Sequence, residues 1–285
     1  MKLLMTLLVR DSGELLRQNI EFHLKQGVDF FIVTDNRSTD ETPAIVGEYV
    51  SAGRAQLIHE PEDKFSQAKW VTRMARLAAS EHAADWVINN DDDEFWSAPG
   101  STLKKVLSEA PAGCTALEVR RRNHPPLAGR DGEQGPGVMI YREDRSISPL
   151  GLPLPTKVCH RALAGIEVGQ GNHNVLLDGA PLAAEPTDRI GISHFPLRGY
   201  ATFERKIAQG GAAYARNEEL EPHVGATWRW LYGLLNDGAL REWYERQELA
   251  PEAVLAGLAN GSLVVDDSVA RALGLAIEDP CIPVA

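Results

Sequence analysis

A run of four acidic residues, 91–94, is the strongest chemical feature of the chain, and only two asparagines separate it from the apolar residues 86–88. On an extended segment alternate side chains point the same way, so Asp91 and Asp93 are predicted to face one site and Asp92 to face elsewhere. Two carboxylates at this spacing suit a hard divalent cation such as Mg²⁺ or Mn²⁺, which keeps waters and takes phosphate oxygens. The alternative is a solvated acidic turn. The aromatic pair that follows the acids disfavours that alternative.

Polar residues also follow the other apolar segments in the first part of the chain. Arg10 and Asp11 come after residues 3–9, and residues 35–40 (Asp-Asn-Arg-Ser-Thr-Asp) come after residues 30–34. Short polar side chains of this kind can hydrogen-bond a base or a ribose, or they can close their own loop with Asx turns and a helix cap. Together with the acidic run they favour a nucleotide ligand.

The elements that must position these residues alternate between strand and helix. Continuous apolar runs predict buried strands, and helical periodicity lies between them. The predicted strands of this part are residues 3–9, 30–34, 56–59 and 86–88. Such alternation implies right-handed βαβ units and a parallel sheet, whose ligands bind beyond the carboxyl ends of the strands. The polar residues above all fall at that edge.

After about residue 100 the pattern changes. Shorter strands are predicted at residues 115–121, 138–141, 156–159 and 189–194, and helices at 202–216, 227–246, 251–258 and 268–273. The sequence therefore predicts an α/β domain over residues 1–200 and a helical C-terminal extension over residues 201–285 packed on it. The basic triplet 120–122 is interpreted as alternating exposed positions on a strand rather than as an acceptor-binding patch.

Composition narrows the class of protein. The 285 residues carry a formal net charge of −11, which argues against nucleic acid as a partner. The three cysteines show no metal-site spacing and indicate reduced thiols, hence a cytoplasmic location. The apolar N-terminal run is too short to span a membrane, and no later segment is long enough, so no integral membrane segment is expected. Peripheral association with a membrane stays open.

Several short motifs in fixed order resemble those of family 2-type glycosyltransferases with the GT-A fold, and most closely the family 92-like branch. They are Arg10-Asp11, Gly27-Val28-Asp29, Asp35-Asn36-x-Ser38-Thr39-Asp40 and Asp91-x-Asp93-Glu94-Phe95, with a thinner continuation at Gly171-Asn172-His173-Asn174 and His194-Phe195-x-x-Arg198 to Lys206. The resemblance implies a Rossmann-like, mostly parallel sheet with flanking helices. It also implies transfer of a sugar from a nucleotide-sugar donor to a hydroxyl acceptor, with inversion at the anomeric carbon.

The resemblance assigns roles to single residues. Asp91 would contact the donor ribose or the metal, and Asp93 would bind the Mn²⁺ or Mg²⁺ that bridges the diphosphate. A histidine completes the metal site in many GT-A enzymes, and His194 is the first candidate and His173 the second. Asp11 and Asp35 would hold the nucleoside. Apart from the resemblance, Arg10 and Asn36 are donor-binding candidates at the strand ends, and Lys157, Arg198 and Lys206 are candidates to neutralise the departing diphosphate.

The catalytic base is not placed by any motif. Glu94 is the first candidate for the carboxylate that deprotonates the acceptor, and Glu133, Asp144 and Asp188 stay open. The donor would be a UDP- or GDP-sugar and the acceptor a glycan or a small molecule. A nucleotidyltransferase and a non-catalytic nucleotide- or sugar-binding protein are the alternatives. The C-terminal helices could form a homodimer interface or cover the acceptor site.

Overall fold

Four parallel strands form one half of an eight-stranded sheet. The strands are β1 (Leu3–Val9), β2 (Phe30–Asp35), β3 (Ala55–His59) and β4 (Trp86–Asn90), and they lie in the order β3-β2-β1-β4. Successive strands are connected by α1 (Gly13–Lys25), α2 (Thr42–Ser51) and α3 (Gln67–Ser80). The predicted α/β class with a Rossmann-like parallel sheet is confirmed.

Four further strands complete the sheet. They are β5 (Glu94–Ser97), β6 (Ala116–Asn123), β8 (Lys157–Arg161) and β12 (Glu185–His194), and α4 (Leu103–Ser108) precedes β6. The strand order continues from β4 as β8-β6-β12-β5. Strand β8 runs antiparallel to both β4 and β6, so its first residue, Lys157, lies near the carboxyl end of β4.

The computed structural model describes residues 1–62, 66–130, 132, 134–217, 220–221 and 223–278. These form two compact units. The first comprises residues 1–121 and 155–192, and the second comprises the described residues of 122–154 and 193–285. The second unit therefore groups residues 122–154 with the C-terminal helices, whereas the sequence-based boundary lies at residue 200.

The hydrophobic core of the first unit fills both faces of the sheet, because β1 alternates its side chains between them. Leu3, Met5 and Leu7 belong to one cluster, and Leu4 packs with Ile32 in the other. All of these side chains are completely buried. A strand that is apolar on both faces must be covered on both faces, as the continuous apolar run predicts.

A small antiparallel sheet packs beside α3 in the same unit. It is formed by β9 (Ile166–Val168), β10 (Val175–Leu177) and β11 (Ala180–Pro181), and a 3₁₀ turn, Gln170–Asn172, separates the first two strands. Thr72 and Arg76 of α3 fix it, because the backbone N–H of Val168 donates to Thr72 Oγ1 and Arg76 Nε donates to the carbonyl of Ile166. The segment before residue 175 is thereby held against α3.

The second unit is mainly helical. Its helices are α5 (Tyr200–Arg216), α6 (Ala226–Asn236), α7 (Leu240–Glu245), α8 (Pro251–Asn260) and α9 (Ser268–Leu273), and β7 (Tyr141–Glu143) pairs with β13 (Leu263–Val265). The prediction of one helix over residues 227–246 is wrong, because Gly238 adopts a left-handed conformation and ends α6 before α7 begins. Within the described residues, no helix has both the length and the apolar character that crossing a bilayer requires.

Candidate functional site

The acidic residues after β4 form a turn rather than an extended segment. The backbone N–H of Glu94 donates to the carbonyl of Asp91 at 3.1 Å, so Asp92 and Asp93 occupy the centre of the turn, called here the acidic turn (residues 91–94). The predicted alternation of side chains is therefore wrong, because it requires extended backbone. The Asp91 side chain is 30% exposed, whereas Asp93 is only 3% exposed.

Buried polar side chains of α1 hold the acidic turn from behind. Asn19 Nδ2 donates to the carbonyls of Asp92 and Glu94, both at 2.9 Å. His23 Nε2 accepts the backbone N–H of Trp96 at 3.0 Å, so its proton lies on Nδ1, which donates to the carbonyl of Asn19 at 2.8 Å. Burial lowers the pKa of His23 to about 3, which keeps the ring neutral. The turn is thus fixed by the helix that follows β1.

Two cations and two carboxylates form a buried cluster beside this turn. Lys157 Nζ lies 2.5 Å from Asp91 Oδ2 and 3.1 Å from Glu94 Oε1. Arg121 NH1 donates to the same Glu94 oxygen at 2.8 Å. Lys157 is 1% exposed and Glu94 is completely buried. Burial raises the pKa of Glu94, and the charges of Lys157 and Arg121 oppose that shift.

Arg121 is a residue of this site that the sequence reasoning missed. The sequence predicts alternating exposure for the basic triplet, and Arg120 is exposed, since 59% of its side chain is accessible. The Arg121 side chain is only 11% exposed because its position on β6 points to the opposite face, toward Glu94. The alternation of side chains along a strand was the available signal.

An irregular segment before β10 brings an amide and an imidazole to Asp91. Gly171 and Asn172 both have positive φ, 72° and 61°, and Asn172 Nδ2 donates to Asp91 Oδ1 at 3.3 Å. A Cβ at Gly171 would lie 2.6 Å from the His173 ring, so glycine alone fits. His173 Nδ1 donates to the carbonyl of Thr156 at 2.6 Å, which leaves Nε2 as the acceptor. Burial lowers the pKa of His173 to about 4, and Lys157 and Arg121 act in the same direction.

The donor atoms around the acidic turn fit a hard divalent cation in part. Carboxylate oxygens are the ligands that Mg²⁺ and Mn²⁺ prefer, and such ions bind through one or two carboxylates together with substrate phosphates. Across the described part of the chain, no three His, Cys, Asp or Glu side chains are grouped closely enough to hold a metal ion by themselves. A metal at Asp91 and Asp93 would therefore need oxygens from substrate or water.

The predicted nucleoside-binding residues lie together at the ends of β1 and β2. Asp11 Oδ1 accepts the backbone N–H of Thr39 at 2.6 Å, and Asp35 Oδ1 accepts that of Ser38 at 3.2 Å. The side-chain amide of Asn36 donates through Nδ2 to the backbone carbonyls of Glu60 and Glu62. These contacts order the two loops, and Arg10 lies next to Asp11 in the first of them.

The remaining predicted site residues belong to the second unit. They are His194, Arg198 and Lys206. His194 Nδ1 donates to Asn123 Oδ1 at 2.7 Å, and Arg198 is 6% exposed. Of the alternative bases, Asp188 in the first unit forms an exposed ion pair with Arg120, Asp144 in the second unit is half-exposed, and Glu133 lies outside the described residues.

Comparison with known proteins identifies a related family. Residues 8–123, which include the acidic turn and Arg121, match the sequence profile of the family described as Glycosyltransferase family 92. A family 92 protein of Ricinus communis is 23% identical over 229 residues, which are 77% of this chain. The chain spans only 40% of that relative's length. The resemblance to family 92 that the motifs indicated is confirmed.

Solved structures also align with the chain. Residues 1–349 of TarS from S. aureus align over 96% of this chain and 90% of that protein, with 13% identity and a TM-score of 0.43. Glucosyl-3-phosphoglycerate synthase from Mycobacterium tuberculosis, crystallised with Mn²⁺, UDP and glucosyl-3-phosphoglycerate, aligns over 42% of this chain and 44% of that protein, with 18% identity and a TM-score of 0.31. At these values the fold assignment rests on the strand order described above.

Proposed function

We propose, starting from the relationship of residues 8–123 to glycosyltransferase family 92, that this chain transfers a glycosyl group from a nucleotide-sugar donor to a hydroxyl acceptor. The observation that carries the proposal is the cluster of Asp91, Lys157 and Asn172 at the carboxyl end of β4. The ordered loops after β1 and β2 end at the same edge of the parallel sheet. In α/β folds this edge is where nucleotide ligands bind.

The diphosphate of the donor would need positive charge. Lys157 is the proposed contact in the first unit, and Arg198 and Lys206 are the proposed contacts in the second. Fixed positive charge stabilises a departing diphosphate most effectively when it is already in place and shielded from water. Lys157 meets both conditions, since it is buried and its ammonium is held by two carboxylates.

Divalent metal dependence is part of the proposal. Asp91 and Asp93 would hold Mn²⁺ or Mg²⁺, with His194 as the first and His173 as the second candidate for an additional ligand. The neutral His173 ring supports the second candidate, because its Nδ1 proton is fixed on a carbonyl and Nε2 is left as the acceptor. When bound, the metal supplies Lewis-acid charge to the leaving diphosphate.

The nucleoside would bind at the loops after β1 and β2. Asp11, Asp35 and Asn36 are the proposed contacts, together with Arg10. Asp35 and Asn36 are each 4% exposed and already hydrogen-bonded within the loops. Their proposed role is therefore to shape the pocket for a UDP or GDP moiety.

Inversion requires a carboxylate that removes the proton of the acceptor hydroxyl. The hydroxyl oxygen then bonds to the anomeric carbon as the bond from that carbon to the nucleoside diphosphate breaks. Glu94 is the proposed base, and Asp144, Asp188 and Glu133 stay as alternatives. If Glu94 is the base, Glu94→Gln lowers kcat by about 10²–10⁴-fold, and nucleotide binding is retained. If Glu94→Gln weakens nucleotide binding instead, the role of Glu94 is to position Lys157, and another carboxylate is the base.

Two alternative functions predict different results. A nucleotidyltransferase normally has a glycine-rich, basic loop after the first strand, and residues 10–14 contain a single glycine here. A non-catalytic binding protein would bind the nucleotide without turnover.

The proposed acceptor is a glycan or a small molecule. Homodimer formation through the C-terminal helices is a separate prediction, which light scattering in solution checks.

A panel of nucleotide sugars tests the proposed activity. The purified chain is incubated with each UDP- and GDP-sugar, with Mn²⁺ or with EDTA, and release of the nucleoside diphosphate is measured. We expect metal-dependent hydrolysis of at least one donor, and loss of that hydrolysis in Asp93→Ala. Glu48→Ala, which removes an exposed carboxylate on α2, is the matched control. Binding of a donor without any turnover would identify the non-catalytic alternative.

A further inference from the structure

Asp91, the proposed metal ligand, already has a cation of the protein on its carboxylate. Its Oδ2 lies 2.5 Å from Lys157 Nζ, and its Oδ1 accepts a hydrogen bond from Asn172 Nδ2 at 3.3 Å. Both oxygens are therefore engaged by groups of the same unit. A divalent cation that approaches Asp91 must share the carboxylate with Lys157 or displace it.

Lys157 is held in this position from behind. Its side chain is 1% exposed, and its ammonium also lies 3.1 Å from Glu94 Oε1. Glu94 is in turn held by Arg121, 2.8 Å from the same oxygen. The ammonium is thus located between a completely buried carboxylate, Glu94, and a partly exposed one, Asp91.

A metal on Asp91 would come close to this ammonium. A cation about 2.1 Å from Oδ2 would lie no more than about 4.6 Å from Lys157 Nζ. Screening by water is weak around a buried ammonium, so the repulsion between the two positive charges is large. A diphosphate placed at the same edge brings negative charge that both cations can contact, and it removes the main cause of the repulsion.

We propose that Lys157 is an internal counter-ion of Asp91 that makes divalent-cation binding depend on the nucleotide. In the nucleotide-free protein the ammonium neutralises Asp91 and weakens metal binding. With a nucleoside diphosphate present, the negative charge of the phosphates offsets the repulsion, so Asp91 accepts the metal while Lys157 stays in place. The nucleotide-dependent half of this inference rests on the proposed function, whereas the effect of Lys157 on metal binding alone does not.

Direct Mn²⁺ binding tests the inference without any measurement of activity. Free Mn²⁺ is quantified by electron paramagnetic resonance during titration of the nucleotide-free chain. We expect Lys157→Met to tighten Mn²⁺ binding at least about tenfold, within the range of typical coupling between sites. Lys157→Arg keeps the charge and should leave the affinity within about twofold. Lys104→Met, which removes an ammonium from the separate ion pair with Asp29, is the matched control and should change nothing.

The same titration with UDP or GDP measures the coupling. In the wild-type chain the nucleotide should tighten Mn²⁺ binding by some factor. In Lys157→Met this factor should be smaller, reduced by as much as the substitution tightens Mn²⁺ binding in the absence of nucleotide. If Lys157→Met does not fold, the charge-balanced double variant Glu94→Gln/Lys157→Met replaces it. Unchanged or weaker Mn²⁺ binding by Lys157→Met, or by the double variant in its place, overturns the inference. If neither UDP nor GDP binds, the proposed function is refuted instead. The nucleotide-free Mn²⁺ titration still tests whether Lys157 weakens metal binding.

Discussion

Replacing Lys157 by methionine is expected to destabilise the folded protein by about 3 kcal/mol. The methionine side chain fills much of the volume of the lysine stem, so packing changes little and the lost charge dominates. The change leaves Glu94 completely buried and paired only with Arg121. Breaking a buried ion pair by removing one partner costs about 3–5 kcal/mol, and the remaining contact with Arg121 favours the lower end of that range.

The charge balance of the cluster predicts a specific non-additivity. Asp91, Glu94, Lys157 and Arg121 carry two negative and two positive charges in their ionised forms. Glu94→Gln alone leaves an excess positive charge and should cost about 2 kcal/mol, whereas the double variant restores neutrality. We expect the double variant to lose about 3 kcal/mol rather than the sum of about 5, an interaction energy of about 2 kcal/mol.

Urea denaturation followed by tryptophan fluorescence measures these free energies of unfolding. Three of the chain's tryptophans, Trp70, Trp86 and Trp96, are buried in the first unit and report on its unfolding. Lys104→Met serves as the control, because its partly exposed ion pair with Asp29 should contribute less than about 1 kcal/mol. A loss in the double variant equal to the sum of the two single losses would refute the reasoning, since it would mean that Lys157 and Glu94 are energetically independent.

Three further predictions concern the support of the site. Asn19→Ala removes the donor to two carbonyls of the acidic turn and should cost about 3 kcal/mol, measured by urea denaturation. Gly171→Ala should cost about 1–3 kcal/mol in the same assay, because φ is 72° and the new Cβ would meet the His173 ring; a neutral result would contradict the tight fit. Burial lowers the pKa of His23 to about 3 and that of His160 to about 4. The unfolded chain therefore binds more protons than the folded one below pH 6.5. Between pH 6.5 and pH 5 these two rings should lower the free energy of unfolding by about 3 kcal/mol, and His173, whose pKa is also lowered to about 4, should add about 1.5 kcal/mol. Preserved stability over that interval would show that these rings are protonated in the folded state.

The sequence predicts the parallel half of the fold well because local signals and burial agree there. A run such as Leu3–Val9 is apolar at nearly every position, and only a strand covered on both faces accommodates it. The helical region is predicted less well. A single helix over residues 227–246 has suitable periodicity, but Gly238 divides it, and a glycine inside a periodic segment does not reveal from sequence whether it ends a helix.

The sequence points to most residues of the candidate site, but it does not predict how these residues contact one another. The acidic run, Lys157 and Asn172 were recognisable as polar residues at strand ends or in a motif, but their contacts depend on pairing between segments far apart in sequence. Arg121 reaches Glu94 only because β6 and β8 bring distant positions together. The turn at residues 91–94 depends on support from α1, which no local pattern in the acidic run encodes.

Titration of UDP and GDP into the chain, with Mn²⁺ and with EDTA, tests the central claim most directly. A nucleotide–metal site at the acidic turn predicts that at least one nucleotide binds more tightly with Mn²⁺. It also predicts that Asp93→Ala abolishes this difference, whereas Glu48→Ala preserves it. Nucleotide binding that is indifferent both to Mn²⁺ and to the loss of the Asp93 carboxylate would contradict the account.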